Sequence, residues 1–243
     1  MEQRAKNVFL TYANEAFIEP GEAFRKSALN VGFDEAILYT RDRLEKTEFY
    51  RSNMSILDEP RGNGFWLWKP YIIYETLQTL GPDDVLVYND AGRSEQYDFF
   101  DALPSNLIAL TRALPEGILA GFSLNWPYQA RFTKRDCLIL MEADRREDDF
   151  VLQLGASWSL WRNTPEAIAF LEAWLHFGTM RACITDDENT LGQPNHEHFQ
   201  EHRHDQAIFS ILVHQRRVPF FDMHSKFGVE QAREDGCDTV VYA

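Results

Sequence analysis

The chain has 243 residues and a formal net charge of −14, with a sequence pI of about 4.9. That balance argues against broad nucleic-acid binding and against electrostatic anchoring on a membrane, and it requires an anionic small substrate to meet locally placed cations or a bound metal. Hydrophobic residues make up 44% and aromatics 14%, which suits a substantial core and a stacking-rich pocket, while no stretch approaches the roughly 20 apolar residues that span a bilayer. Nothing at the start reads as a secretory signal. Cys137, Cys183 and Cys237 lie far apart and match no zinc or redox spacing. Ordinary thiols in a reducing compartment are expected, and the cytoplasm is the expected location.

Asn7 to Tyr12 predicts a first strand, short, apolar and β-rich. Pro20-Gly21 breaks the chain, and Glu22 to Leu29 has helical spacing with Phe24 and Ala28 on one face. Gly32 ends that helix and Ala36 to Tyr39 gives a second strand, so the first two strands form a βαβ unit and run parallel. Arg41 to Tyr50 reads as a charged helix and Arg61-Gly62-Asn63-Gly64 as a loop. Pro70 suits the first turn of a helix carrying Ile73, Leu77 and Leu80, and Gly81-Pro82 closes it before a strand from Val85 to Tyr88.

Ser94 to Leu103 and Ser105 to Ala113 read as helical pieces split by Pro104, and Gly117 to Leu124 as a strand. Thr133 is a candidate cap for a helix from Cys137 to Ala143. Val151 to Trp161 alternates like a strand, with Gly155 marking a bulge or close approach. Thr164-Pro165-Glu166 opens a helix with Ile168, Leu171, Trp174 and Leu175 on its apolar face. Asp186 to Glu201 is a polar loop, Arg203 to His214 a helix burying Ile208, Ile211 and Leu212, and Val218 to Phe221 a late strand. Strands alternate with helices throughout, so the expectation is one α/β domain: a mostly parallel, Rossmann-like sheet flanked by helices, with a nucleotide-binding part over about 1–125 and an acceptor-side part over about 126–243.

The chain is organised around Gly64 to Gly92. Its apolar strand stops at Asn89-Asp90-Ala91-Gly92, and open α/β folds place ligands at the carboxyl ends of such strands. A carboxylate there can hold a divalent cation that neutralises a diphosphate, although Asn-Asp-Ala-Gly is also good turn chemistry. Trp66, Trp68 and Lys69 precede a helix, where a lysine suits a phosphate and an indole can stack on a base or a sugar. His202-Arg203-His204-Asp205-Gln206 opens a later helix: Asp205 can bind hydroxyls or accept a proton, and Gln206 can hydrogen-bond a hydroxyl, while helix capping explains Asp205 equally simply. His196, His198, His202 and His204 fit no established zinc spacing.

The segment from Val85 to Gly92 resembles the Asp-x-Asp strand end of nucleotide-sugar glycosyltransferases with the GT-A fold. Together with Trp66-Leu-Trp-Lys-Pro70 and His202-Arg-His-Asp-Gln206 it is similar to a group of bacterial polysaccharide-type glycosyltransferases. The resemblance implies transfer of a sugar from a nucleotide-diphosphate donor to a glycan or lipid-linked saccharide, with peripheral membrane contact left open. It implies that Thr11, Tyr12 and Trp68 lie against the nucleotide and that Lys69 and Lys226 meet the diphosphate. Asp90 and His224 would hold Mn²⁺ or Mg²⁺, and Asp205 with Gln206 would face the donor sugar near the reacting carbon. Gln153, Gly155, Ser157 and Trp158 would face sugar and acceptor, and Lys134 and Arg135 are candidate phosphate or acceptor contacts. Gly92 stands where the second Asp of Asp-x-Asp would be, so either the metal is dispensable or another ligand completes its site. Two other classes fit parts of the sequence: a metal-dependent hydrolase built on the histidine loop with Asp205, and a non-catalytic saccharide-binding domain using the six tryptophans.

Overall fold

The computed structural model describes residues 4–91, 105–123, 128–146, 151–221 and 240–242. The expected strand pieces before Gly92 and the helices from 105 onward lie within these ranges; Gly92, the helical piece expected over Ser94 to Leu103, and His224 and Lys226 lie outside them.

The first strand, β1 (Asn7–Ala13), leads through α1 (Ile18–Asn30) to β2 (Glu35–Thr40), and the two strands pair in parallel as expected. Pro20-Gly21 does not break the chain. Pro20 lies in the first turn of α1, where a missing N–H costs nothing. Gly21 lets α1 approach the sheet: a Cβ there would stand 2.8 Å from Leu38 Cδ1. The charged segment after β2 is broken into short helices, α2 (Arg41–Glu45), α3 (Glu48–Ser52) and α4 (Met54–Leu57). Thr40 and Thr47 start the first two by accepting from the Arg43 and Tyr50 amides.

The expected loop at Arg61 is a single irregular turn, α5 (Gly62–Phe65), followed by α6 (Trp68–Leu77) and β3 (Val85–Asn89). Then come α7 (Ser105–Ala113), β4 (Ile118–Ser123) and α8 (Arg135–Leu140). Thr133 does not cap α8. The Asn195 and Asn189 side chains accept from the Arg135 and Asp136 amides instead, which ties the 186–201 loop to this helix.

The expected strand over Val151 to Trp161 is two strands, β5 (Leu154–Gly155) and β6 (Trp158–Arg162). The chain continues through α9 (Pro165–Gly178), α10 (Arg181–Ile184), α11 (His204–Arg216), β7 (Pro219–Phe221) and β8 (Val240–Tyr242). Thr164 caps α9 as its sequence predicts, accepting from Ala167 N.

All strands join one mixed sheet in the order β2-β1-β3-β6-β4-β7-β8, with β5 beside β4. β1, β2, β3, β4 and β7 share a direction; β6 enters antiparallel between β3 and β4, and β5 and β8 also run against the majority. The architecture is an α/β sheet flanked by helices, compatible with a Rossmann-like fold.

Side-chain alternation divides the core. Leu10, Tyr12, Leu86, Tyr88 and Trp161 face the larger cluster under α6, α9 and α11, whereas Phe9, Val85, Val87 and Leu160 face the cluster under α1 and α7. Burial on both faces is why β1 and β3 read as continuous apolar runs.

Candidate functional site

The sheet order reverses at β1: the chain moves outward to β2, then returns to place β3 on the other side. The carboxyl ends of β1 and β3 therefore border a crevice at a topological switch point, the usual ligand position in open α/β sheets. A cleft of about 670 Å³ opens there, lined by Tyr12 and Asn14 after β1, Asp90 and Ala91 after β3, residues 60–63 with Trp66, Trp68 and Lys69, and Arg203 to Gln206 at the start of α11. That volume is ordinary for a small-molecule site.

Asp90 is anchored by its backbone, whose N–H donates to Ser157 O at 2.8 Å in the turn before β6. Its side chain accepts from the Tyr88 hydroxyl and lies 3.4 Å from Lys69 Nζ. Lys69, in the first turn of α6, is only 3% exposed, and its Nζ stands 2.9 Å from Asp205 Oδ2. The two acids expected to share a site thus meet on one ammonium.

Burial pushes Asp205 up to about 6; Lys69 and the Gln206 amide oppose this, and Asp90 adds to it. Burial pulls the Lys69 ammonium down, but Asp205 and Asp90 more than offset it, so the net shift is upward and the group stays charged at neutral pH. Burial, reinforced by Asp90, raises Tyr88 well above the ordinary phenol range, which keeps its hydroxyl a donor. Gln206 also lines the cleft, with no partner for its Nε2 among the described residues.

Four non-glycine residues at or beside the cleft adopt left-handed backbone: Asn63 (φ 55°), Phe65 (51°), Trp66 (60°) and His204 (51°). Bulky residues rarely do so, and such strain clusters where a site over-determines the chain. His204 packs between the Phe65 and Trp66 rings at 4.9 and 5.8 Å and donates from Nδ1 to Ile184 O at 2.8 Å, so the strained turn and the start of α11 brace each other. Tyr12 stacks on Trp68 with centroids 3.8 Å apart and donates to Asn63 Oδ1 at 2.5 Å. Trp68 is thereby largely buried, its Nε1 donating to Gly62 O.

The remaining sequence-based candidates fall elsewhere. Thr11 is fully buried on the sheet face opposite Tyr12. Ser157 lines the cleft, whereas Gln153, Gly155 and Trp158 do not. Lys134 donates to Asp187 O at 3.0 Å and so holds the long loop, while Arg135 pairs with Asp144 at 2.8 Å, just after its own helix. His202 is structural: Nε2 donates to Cys183 O at 2.7 Å and Nδ1 accepts from Lys134 N at 3.2 Å. Burial holds it well below the usual imidazole range, which suits this neutral tautomer. His196 faces Asp144 and Arg135. Among the described residues, no group of three or more His, Cys, Asp or Glu side chains is placed to hold a metal ion.

Sequence reasoning passed over Asn14, Arg61, Asn63 and Arg203, all of which line the cleft. Arg61 stands 3.4 Å from Asp186 and 3.9 Å from Glu201, and Arg203 stands 2.6 Å from Glu201. These half-exposed pairs are individually weak, so an arriving anion can compete for the guanidinium groups at little cost. The signal was present: Arg61-Gly62-Asn63-Gly64 is rich in residues that tolerate positive φ, and Arg203 sits inside the His-Arg-His-Asp-Gln run.

No protein-family model matches this chain, and no curated protein matches it.

Proposed function

We propose that the protein is a glycosyltransferase of GT-A type, moving a sugar from a nucleotide-diphosphate donor to a glycan or lipid-linked saccharide in surface polysaccharide synthesis. The observation that carries this reading is the convergence of Asp90, at the end of β3, and Asp205, at the start of α11, on the ammonium of Lys69 at the switch point. In this reading the nucleoside lies over Tyr12, Asn14 and Asn63 at the end of β1. The diphosphate meets Arg61 and Arg203, and the sugar faces Asp205 and Gln206.

The chemistry follows from where charge develops. The acceptor oxygen attacks the anomeric carbon, the bond from that carbon to the diphosphate oxygen breaks, and the electron pair stays on the diphosphate. Fixed cations beside that oxygen stabilise the leaving charge without reorganising. The acceptor hydroxyl loses its proton to Asp205, whose pKa of about 6 leaves it largely ionised at neutral pH yet basic enough to assist. Gln206 Nε2 donates to a sugar hydroxyl.

Calorimetric titration of the full chain with UDP- and GDP-sugars, against the free monosaccharides, tests the reading. Binding of a nucleotide sugar but not its free sugar is expected. Free-glycan binding with no nucleotide requirement would replace this function with a saccharide-binding one.

A further inference from the structure

A carboxylate at a strand end invites a divalent cation; the sequence expects Asp90 and His224 to hold one, and while His224 lies outside the described residues, the side of Asp90 that faces Asp205 already holds a side chain. Lys69 Nζ lies 2.9 Å from Asp205 and 3.4 Å from Asp90, whereas a Mg²⁺ or Ca²⁺ ion needs carboxylate oxygens at about 2.0–2.6 Å and would sit against the ammonium. Asp90 is further occupied by the Tyr88 hydroxyl. Nor is Lys69 a surface residue that can swing away: it is 3% exposed, with the Tyr88 and Trp68 ring centres 5.8 and 5.9 Å from Nζ. Withdrawing it would leave the buried Asp205 carboxylate without its cation and facing the partly exposed Asp90, and an uncompensated buried charge is strongly destabilising.

We infer that Lys69 takes the place of the divalent cation, so that this cleft binds a nucleoside diphosphate without a metal. The inference rests on the transferase reading above and deepens it. A fixed ammonium offers the leaving diphosphate a donor with no exchangeable ligand to lose, and Arg61 and Arg203 can turn to it from their half-exposed pairs with Asp186 and Glu201. Lys69 also holds Asp90 and Asp205 at a set separation, which a mobile hydrated ion would not do without additional ligands.

The test is binding of UDP and of GDP to the full chain in Mn²⁺ and in EDTA, with Lys69→Met measured alongside. The wild type should bind its preferred nucleotide with Kd values that agree within about threefold in the two conditions. Lys69→Met should lose tenfold or more in EDTA, by about the 1.4 kcal/mol that such a factor represents. Because that variant removes a buried ion pair on which folding also depends, a second measurement uses only the wild type: the electron paramagnetic resonance signal of aqueous Mn²⁺ should be undiminished when protein without nucleotide is added. Nucleotide binding that requires Mn²⁺, or stoichiometric loss of the Mn²⁺ signal, overturns the inference and leaves the transferase reading standing. Absence of nucleotide binding in both conditions removes both.

Discussion

Asp205 carries opposing influences that its position in the chain alone does not reveal. Burial raises its pKa to about 6 even though Lys69 pulls the other way. Above pH 6 the carboxylate is ionised and can take a proton, so kcat/KM should rise with unit slope up to about pH 6 and then level. Asp205→Asn should remove that arm and lower the rate by about 10²–10⁴-fold, the span typical of a lost general base. For stability the sign is reversed. Between about pH 4 and 6 the native state holds a proton that the unfolded chain releases, so this group's contribution falls as pH rises through that window. His202 makes a contrasting case. Its two nitrogens are spent on Cys183 O and Lys134 N, and His202→Ala strands both groups in a buried site. Each unpaired group costs about 1–3 kcal/mol, and the loss should be visible as a lower urea midpoint. The zinc content of purified protein should be the same in wild type and variant; a drop on substitution would make His202 a ligand.

At the level of elements, the β4–β5 contact shows how little tolerance the sheet has where strands bend. A Cβ added at Gly121 would lie 1.8 Å from Gly155 O, a backbone atom that no rotamer change can move. Gly121→Ala should therefore destabilise by about 3 kcal/mol or more, at the upper end for overpacking, read as a shift in urea midpoint without a change in slope. The sequence expects a bulge or a close backbone approach at Gly155, and the Gly155 carbonyl is one side of such an approach; that Gly121 is the other side follows only from the pairing of Phe122 with Gly155. The same limit explains most of what was and was not legible. β1, β2, β3, α7, α9 and α11 were readable because each is fixed by local signals: apolar runs, a Thr-Pro-Glu opening, helical spacing. The antiparallel insertion of β6 was not, because direction is set by neighbours rather than by pattern. Asp90, Lys69 and Asp205 could be named from strand ends and helix starts. Their meeting on one ammonium depends on the packing of α6 and α11 against α9, which no short window contains.

For the molecule as a whole, the cleft draws on segments from Tyr12 to Gln206, so a ligand seated there touches the ends of β1 and β3, the turn before β6 and the helices over the larger core cluster. Binding should accordingly stabilise the fold globally rather than tighten one loop. A ligand at about 100 times its Kd adds about 2.7 kcal/mol to a native state that alone binds it. For a domain of 150–250 residues each kcal/mol moves Tm by about 2–4 °C, so saturating nucleotide should raise Tm by roughly 5–10 °C in one cooperative transition. The net charge of −14 works against the approach of any anion but acts over a range that salt shortens, to about 8 Å at physiological ionic strength. Raising salt should therefore weaken the long-range repulsion while leaving the buried Lys69 contact little changed, so the shift should persist at high salt. A Tm shift that vanishes there would mean that the ligand is held by exposed charges alone, with the buried Lys69 and Asp205 pair left out of the contact.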